Sequence, residues 1–131
     1  MLAGTCLVGG RVFGAEPERA SDTWQSLRAG ERVTIAPPDT IADGVRPTAP
    51  GRLTFPVIRE RVEAVLRVSE DEIREAVRFL LSRLKILVEP SGAVPAAAVM
   101  FGKLPKDVRS VGVVLSGGNV DLDVLAAIVG I

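Results

Sequence analysis

A chain of 131 residues with 47% hydrophobic and 24% charged residues has the composition of one modest globular domain, not of a disordered segment. Sixteen lysines plus arginines balance sixteen aspartates plus glutamates, so the basic footprint of a nucleic-acid binder is absent. No apolar run reaches the ~18–20 residues of a membrane span. The sequence has no histidine and no tyrosine, and Cys6 is its only cysteine, which excludes a Ser-His-Asp triad, a histidine-ligated zinc site and an internal disulfide. Met1-Leu2-Ala3-Gly4 lacks the charged start of a secretion signal, and a reducing cytoplasm is the expected location.

In chain order, residues 1–10 are small and apolar and read as a short helix ended by Gly9-Gly10. Arg11 to Ala15 reads as a strand closed by Glu16-Pro17. Ser21 to Ala29 reads as a helix, with Ser21 or Asp22 as N-cap and Gly30 at its end. Residues 36–52 are rich in proline and glycine and form a loop.

Ser69 and Glu72 have the spacing of a capping box, flanked by Val68 and Ile73 as a hydrophobic staple. Ile73, Ala76, Val77, Leu80, Leu81 and Leu84 then recur every three or four residues, predicting one buried helical stripe. Glu70, Asp71 and Glu72 open this helix and Arg83 and Lys85 close it, as its dipole favours. After an extended link at Ile86–Val88, a small-residue helix is predicted from Ala93 to Met100, with Pro95 in its first turn. Val111 to Leu115 reads as a strand buried on both faces of a parallel sheet, and Asp121 to Val129 as a closing helix. This alternation of strands and helices predicts an α/β fold.

Ser116-Gly117-Gly118-Asn119 stands where the carboxyl end of a buried strand meets a helix, the edge at which open α/β sheets bind ligands. The plain alternative is a strand-to-helix turn with Asn119 or Asp121 as cap. Glu16 and Asp22, with a backbone carbonyl between them, form an oxygen set that suits Mg²⁺ or Ca²⁺. On spacing alone the simpler reading makes Asp22 a helix cap and Glu16 a solvated carboxylate. Glu89, before Pro90, is either a loop acid or a site residue. Lys103 and Lys106 read as exposed and Lys85 as a cation complementing the helix dipole or reaching an anion, and none looks like a catalytic amine.

Five segments occur in order: Glu16-Pro17, Thr40-Ile41-Ala42-Asp43-Gly44, Val68 to Ile73, Glu89-Pro90-Ser91-Gly92-Ala93 and Ser116 to Asp121. Together they resemble the C-terminal half of serine racemase and the related serine/threonine dehydratases, which are fold-type II enzymes using pyridoxal phosphate (PLP). The resemblance runs from Val12 to Leu122. It implies a partial large domain, a mostly parallel sheet flanked by helices, forming a single domain over residues 1–131.

The resemblance also implies roles. Ser116, beside Gly117, matches the serine whose hydroxyl bonds the pyridine nitrogen of PLP. Asp43 and Gly44 match the loop lining the active site. Lys85 and Asn119 match contacts to a nucleotide effector. Glu16, the carbonyl of Ala20 and Asp22 match a divalent-cation site for Mg²⁺ or Ca²⁺.

The family's cofactor lysine and its glycine-rich phosphate loop both lie outside the matched region. The resemblance therefore implies part of an enzyme acting on hydroxy amino acids, inactive alone and with weak or absent PLP binding. A non-catalytic dimerisation or binding module of the same descent is the alternative. Either reading expects a homodimer or pairing with a separate N-terminal half, and neither involves nucleic acid or a membrane.

Overall fold

The computed structural model describes residues 1–130 and is built on two parallel strands, β1 (Phe13–Pro17) and β2 (Ala64–Val68). They pair in register from Phe13 opposite Ala64 to Pro17 opposite Val68. The crossover between them holds a 3-10 turn at Glu18–Ala20, helix α2 (Asp22–Ala29), the long loop with a second 3-10 turn at Asp43–Val45, and helix α3 (Thr54–Arg61). Helix α1 (Leu2–Val8) precedes β1 and packs on α3. Neither α3 nor β2 is predicted from the sequence. Pro56 lies in the first turn of α3, where a missing amide costs little, and β2 buries Val65 and Val68.

Helix α4 (Glu70–Phe79) begins as its capping box requires: the Glu72 amide donates to Ser69 Oγ at 3.2 Å, and the Ser69 amide donates to Glu72 Oε2 at 2.8 Å. Val68 and Ile73 are both fully buried, closing the staple. The predicted stripe is buried through Leu80, but Leu84 is 52% exposed. Leu80–Leu84 form a π-helical turn, which is wider than an α turn and carries the later leucines out of phase with the stripe. Lys85 ends that turn in the left-handed conformation, φ 60°.

Helix α5 runs from Pro90 to Met100, one turn earlier than predicted. Pro90 occupies the first helical position, and Pro95 falls in the second turn, not the first. Ala93, Ala97 and Ala98 are buried, and their small size lets α5 sit close against α4 and both strands. Helix α6 (Leu122–Val129) docks on α4 through buried Ile128, whose carbonyl accepts from Arg78 Nε at 2.6 Å.

Val111–Leu115 is not a strand buried on both faces. The sheet has two strands among the described residues, and this segment pairs with neither. Val113 and Leu115 pack against the core while Val111 is 42% and Val114 55% exposed. From Gly112 to Leu115 the burial alternates as in a strand with one covered face, because no neighbouring strand covers the other groups.

Candidate functional site

A cleft of about 510 Å³ separates β1 from residues 111–116, with Gly44, Ser91 and Ser116 on its wall. Ser116 is half-buried and lines this cleft. Its backbone is fixed from behind. The Glu89 amide donates to the Gly117 carbonyl at 3.2 Å, and Gly117 takes φ +85°. A Cβ on Gly92, in the first turn of α5, would stand 2.1 Å from the Ser116 carbonyl oxygen. Only glycine at position 92 permits that approach.

Gly44, at the end of the Thr40–Gly44 loop, lines the same cleft, whereas Thr40, Ile41 and Asp43 face a second one, and three anchors order the loop. The Ile41 amide donates to Glu70 Oε2 at 2.8 Å, Arg46 Nη2 donates to the Thr40 carbonyl at 2.9 Å, and the Gly44 amide donates to Ser91 Oγ at 2.8 Å. Ser91 Oγ lies 3.4 Å from Asp43 Oδ1 as well. Ser91 thus lines the cleft and holds the loop, a position that side-chain chemistry alone does not single out. Its signal was the Glu-Pro-Ser-Gly run opening a helix.

Asp43 and Asn119 lie on a second cleft of about 500 Å³, together with Arg19, Arg46, Glu70 and Arg74. Lys85 does not line it. Its Nζ donates instead to the Ser82 carbonyl at 2.7 Å, closing the π turn. Lys103 pairs with Glu72 Oε1 at 2.7 Å. No lysine of the described residues lines the cleft of Ser116.

Glu16 and Asp22 also open on the first cleft. Asp22 is not the N-cap of α2, which is Ser21 without a side-chain cap bond. Glu16 supplies the missing acceptor: the Thr23 and Trp24 amides donate to its two oxygens at 3.1 and 3.0 Å. Burial pushes the Glu16 carboxyl above its ordinary value, and the nearby Asp22 charge adds to this, against the two amide bonds. Burial raises Asp22 too. Ala20, between them, is buried. Two carboxylates and a carbonyl are a hard oxygen donor set. Among the described residues no three or more His, Cys, Asp or Glu side chains group as a metal cluster.

A parallel strand-helix-strand frame, a serine on the cleft at its edge and a glycine-bearing helix start against that serine's backbone make an α/β frame with a candidate ligand cleft. Residues 5–117 match the family described as pyridoxal-phosphate dependent enzyme, and the chain belongs to that family.

Similar proteins include the serine racemase of Dictyostelium discoideum, 43% identical over 98% of this chain and 42% of that protein. The L-threo-3-hydroxyaspartate ammonia-lyase of Saccharomyces cerevisiae is 38% identical over 98% of this chain and 41% of its own length. The crystal structure of the T.th. threonine deaminase superposes with a TM-score of 0.85 at 45% identity, covering 92% of this chain and 46% of that one. The chain therefore spans less than half of each of these three relatives.

Proposed function

We propose that this chain forms the ring-binding side of a PLP-dependent lyase or racemase acting on hydroxy amino acids, with the cofactor amine supplied by polypeptide outside it. The observation that carries this reading is Ser116 on the cleft, its backbone held by Gly92 and Glu89, with Gly44 and Ser91 lining the same cleft. When bound, PLP supplies an electron sink for the carbanion formed at the substrate α-carbon. Ser116 would hold the ring nitrogen through a neutral hydroxyl, which leaves that nitrogen largely unprotonated and suits loss of a β-hydroxyl. Gly117 gives the turn its backbone freedom, and Gly44 would border the substrate side, while Asp43, expected there as well, lines the second cleft and touches this one only through Ser91 Oγ. With no lysine on the cleft, the chain alone is inactive in this reading.

Glu16, Asp22 and the Ala20 carbonyl would hold Mg²⁺ or Ca²⁺, whose charge would offset the buried Asp22 and half-buried Glu16 carboxylates. Asn119, on a cleft with three arginines, fits a nucleotide effector better than Lys85, which is engaged with Ser82. No helix of the described residues is long and apolar enough to cross a membrane. A cytoplasmic, reducing setting fits the buried free Cys6. A second reading, a non-catalytic binding or dimerisation module, is favoured by the unpaired 111–115 segment and its exposed valines.

The test combines the full chain with the separately purified part of the Dictyostelium racemase that the chain does not match. PLP and L-serine are added, and keto acid and cofactor circular dichroism are measured. Activity and dichroism that appear only on mixing, and that Ser116→Ala alters, support the reading. Cofactor dichroism unaffected by Ser116→Ala overturns it.

A further inference from the structure

Glu16 has a neighbour of opposite charge that it does not use. In the parallel register of the sheet, Arg67 of β2 stands opposite Glu16 of β1. Adjacent strands lie ~4.8 Å apart, so an arginine side chain spans the gap with length to spare. Among the described residues, however, neither Glu16 nor Asp22 forms an ion pair, and Arg67 pairs with no acid. Asp22 is only 6% exposed, and a buried carboxylate ordinarily recruits a cationic partner.

The Arg67 guanidinium lies on Trp24 instead. Its Cζ is 3.8 Å from the ring centroid, and Arg28 Cζ is 4.9 Å from the centroid of the same ring. Trp24 sits in the first turn of α2, where its amide donates to Glu16 Oε2 at 3.0 Å. One residue therefore touches the acid with its backbone and holds the base with its ring. A guanidinium over an indole face is well placed, and the attraction grows as the contact loses water.

We propose that Trp24 parks Arg67 away from Glu16 and Asp22, and so keeps that oxygen set open to a divalent cation. Without the ring face, Arg67 turns to Glu16, forms the charge-assisted pair that the sheet register allows, and closes the site from within. Trp24 is then a positioning residue, and Arg67 is the internal competitor of Mg²⁺ or Ca²⁺. The proposal rests on the cation reading above. What it adds is the reason the two acids lack a cation of the chain's own.

The test is calorimetric titration of the full chain with Mg²⁺ and with Ca²⁺, in the wild type, Trp24→Leu, Arg67→Gln and the double variant. Trp24→Leu keeps apolar bulk without a π face, and its cation affinity falls about tenfold. Arg67→Gln binds at or above the wild-type affinity. The double variant recovers what Trp24→Leu lost. A purely structural role for Trp24 in α2 gives no such rescue, because deleting a second contact does not mend a helix. Urea unfolding reads the same event without cation. Glu16→Gln and Arg67→Gln act independently in the wild-type background and become coupled once residue 24 is leucine.

Unchanged affinity in Trp24→Leu overturns the proposal, and so does a double variant as weak as Trp24→Leu. A loss in Arg67→Gln shows that Arg67 supports the site, which overturns it as well. Coupling between Glu16 and Arg67 already present in the wild-type background does the same. Failure of the cation reading looks different: neither the wild type nor Arg67→Gln takes up Mg²⁺ or Ca²⁺, and the competition falls with it whatever the unfolding shows.

Discussion

Gly92 and Ser116 are pressed together backbone to backbone: a Cβ at 92 would reach 2.1 Å from the Ser116 carbonyl oxygen. No side-chain rotation relieves that contact, because both partners are main chain. Gly92→Ala is therefore expected to lower stability by about 1–3 kcal/mol, the range for overpacking a close contact. Chemical denaturation measures it. A loss under about 0.5 kcal/mol, within the scatter of surface substitutions, would show that the turn at 116–117 yields easily.

Ser91 is the hinge pin of the Thr40–Gly44 loop. Ser91→Ala removes the acceptor for the Gly44 amide and the contact to Asp43, at an expected cost of about 1 kcal/mol. The local readout is exchange at the Gly44 amide, which should quicken while the amides of α4 stay unchanged.

Ser69→Ala opens the capping box of α4 and should cost about 1 kcal/mol. Unfolding by urea gives the value, and Ser69→Asp should recover most of it, since aspartate is also a strong N-cap.

The acid pair on the cleft gives a pH signature. Glu16 and Asp22 titrate above their ordinary values, so the folded state holds protons that the unfolded state has released. Between the ordinary and the raised values, this pair makes stability fall as pH rises; above the raised values its contribution is flat. Glu63, Glu72 and Asp107 are lowered and act in the opposite sense as pH falls, so the contribution of Asp22 must be isolated by difference. Wild type minus Asp22→Asn, followed by thermal unfolding from acid to neutral pH, should show that negative slope.

The same pair predicts a cation response. Millimolar Mg²⁺ or Ca²⁺ at neutral pH should raise the Tm of the wild type, and the rise should vanish in Asp22→Asn. An equal rise in both proteins would assign the effect to general ionic strength.

Legibility in the sequence followed the locality of each signal. The start of α4 was legible because Ser69 and Glu72 state their own hydrogen bonds, and α2 was legible from Gly30, which does end it in the left-handed conformation. The exit from α4 was not, because a π turn at Leu80–Leu84 has no residue signature and merely shifts the phase of an apolar repeat. Val111–Leu115 carries the composition of a central strand, yet pairing depends on neighbours that composition does not supply. At the site, the position of Ser116 on a cleft followed from a strand-like run meeting glycines. The role of Glu16 as acceptor for the α2 amides did not, since the bonded residues lie seven and eight positions away.

The opening turn of α5 serves two masters. Ser91 steadies the Thr40–Gly44 loop while its neighbours Glu89 and Gly92 seat the backbone of 116–117, so three residues within four positions govern both banks of the cleft. A protein engineer retuning one bank through this tetrapeptide would disturb the other at the same stroke. Independent adjustment has to start from residues that belong to a single bank, such as Val45 or Val113.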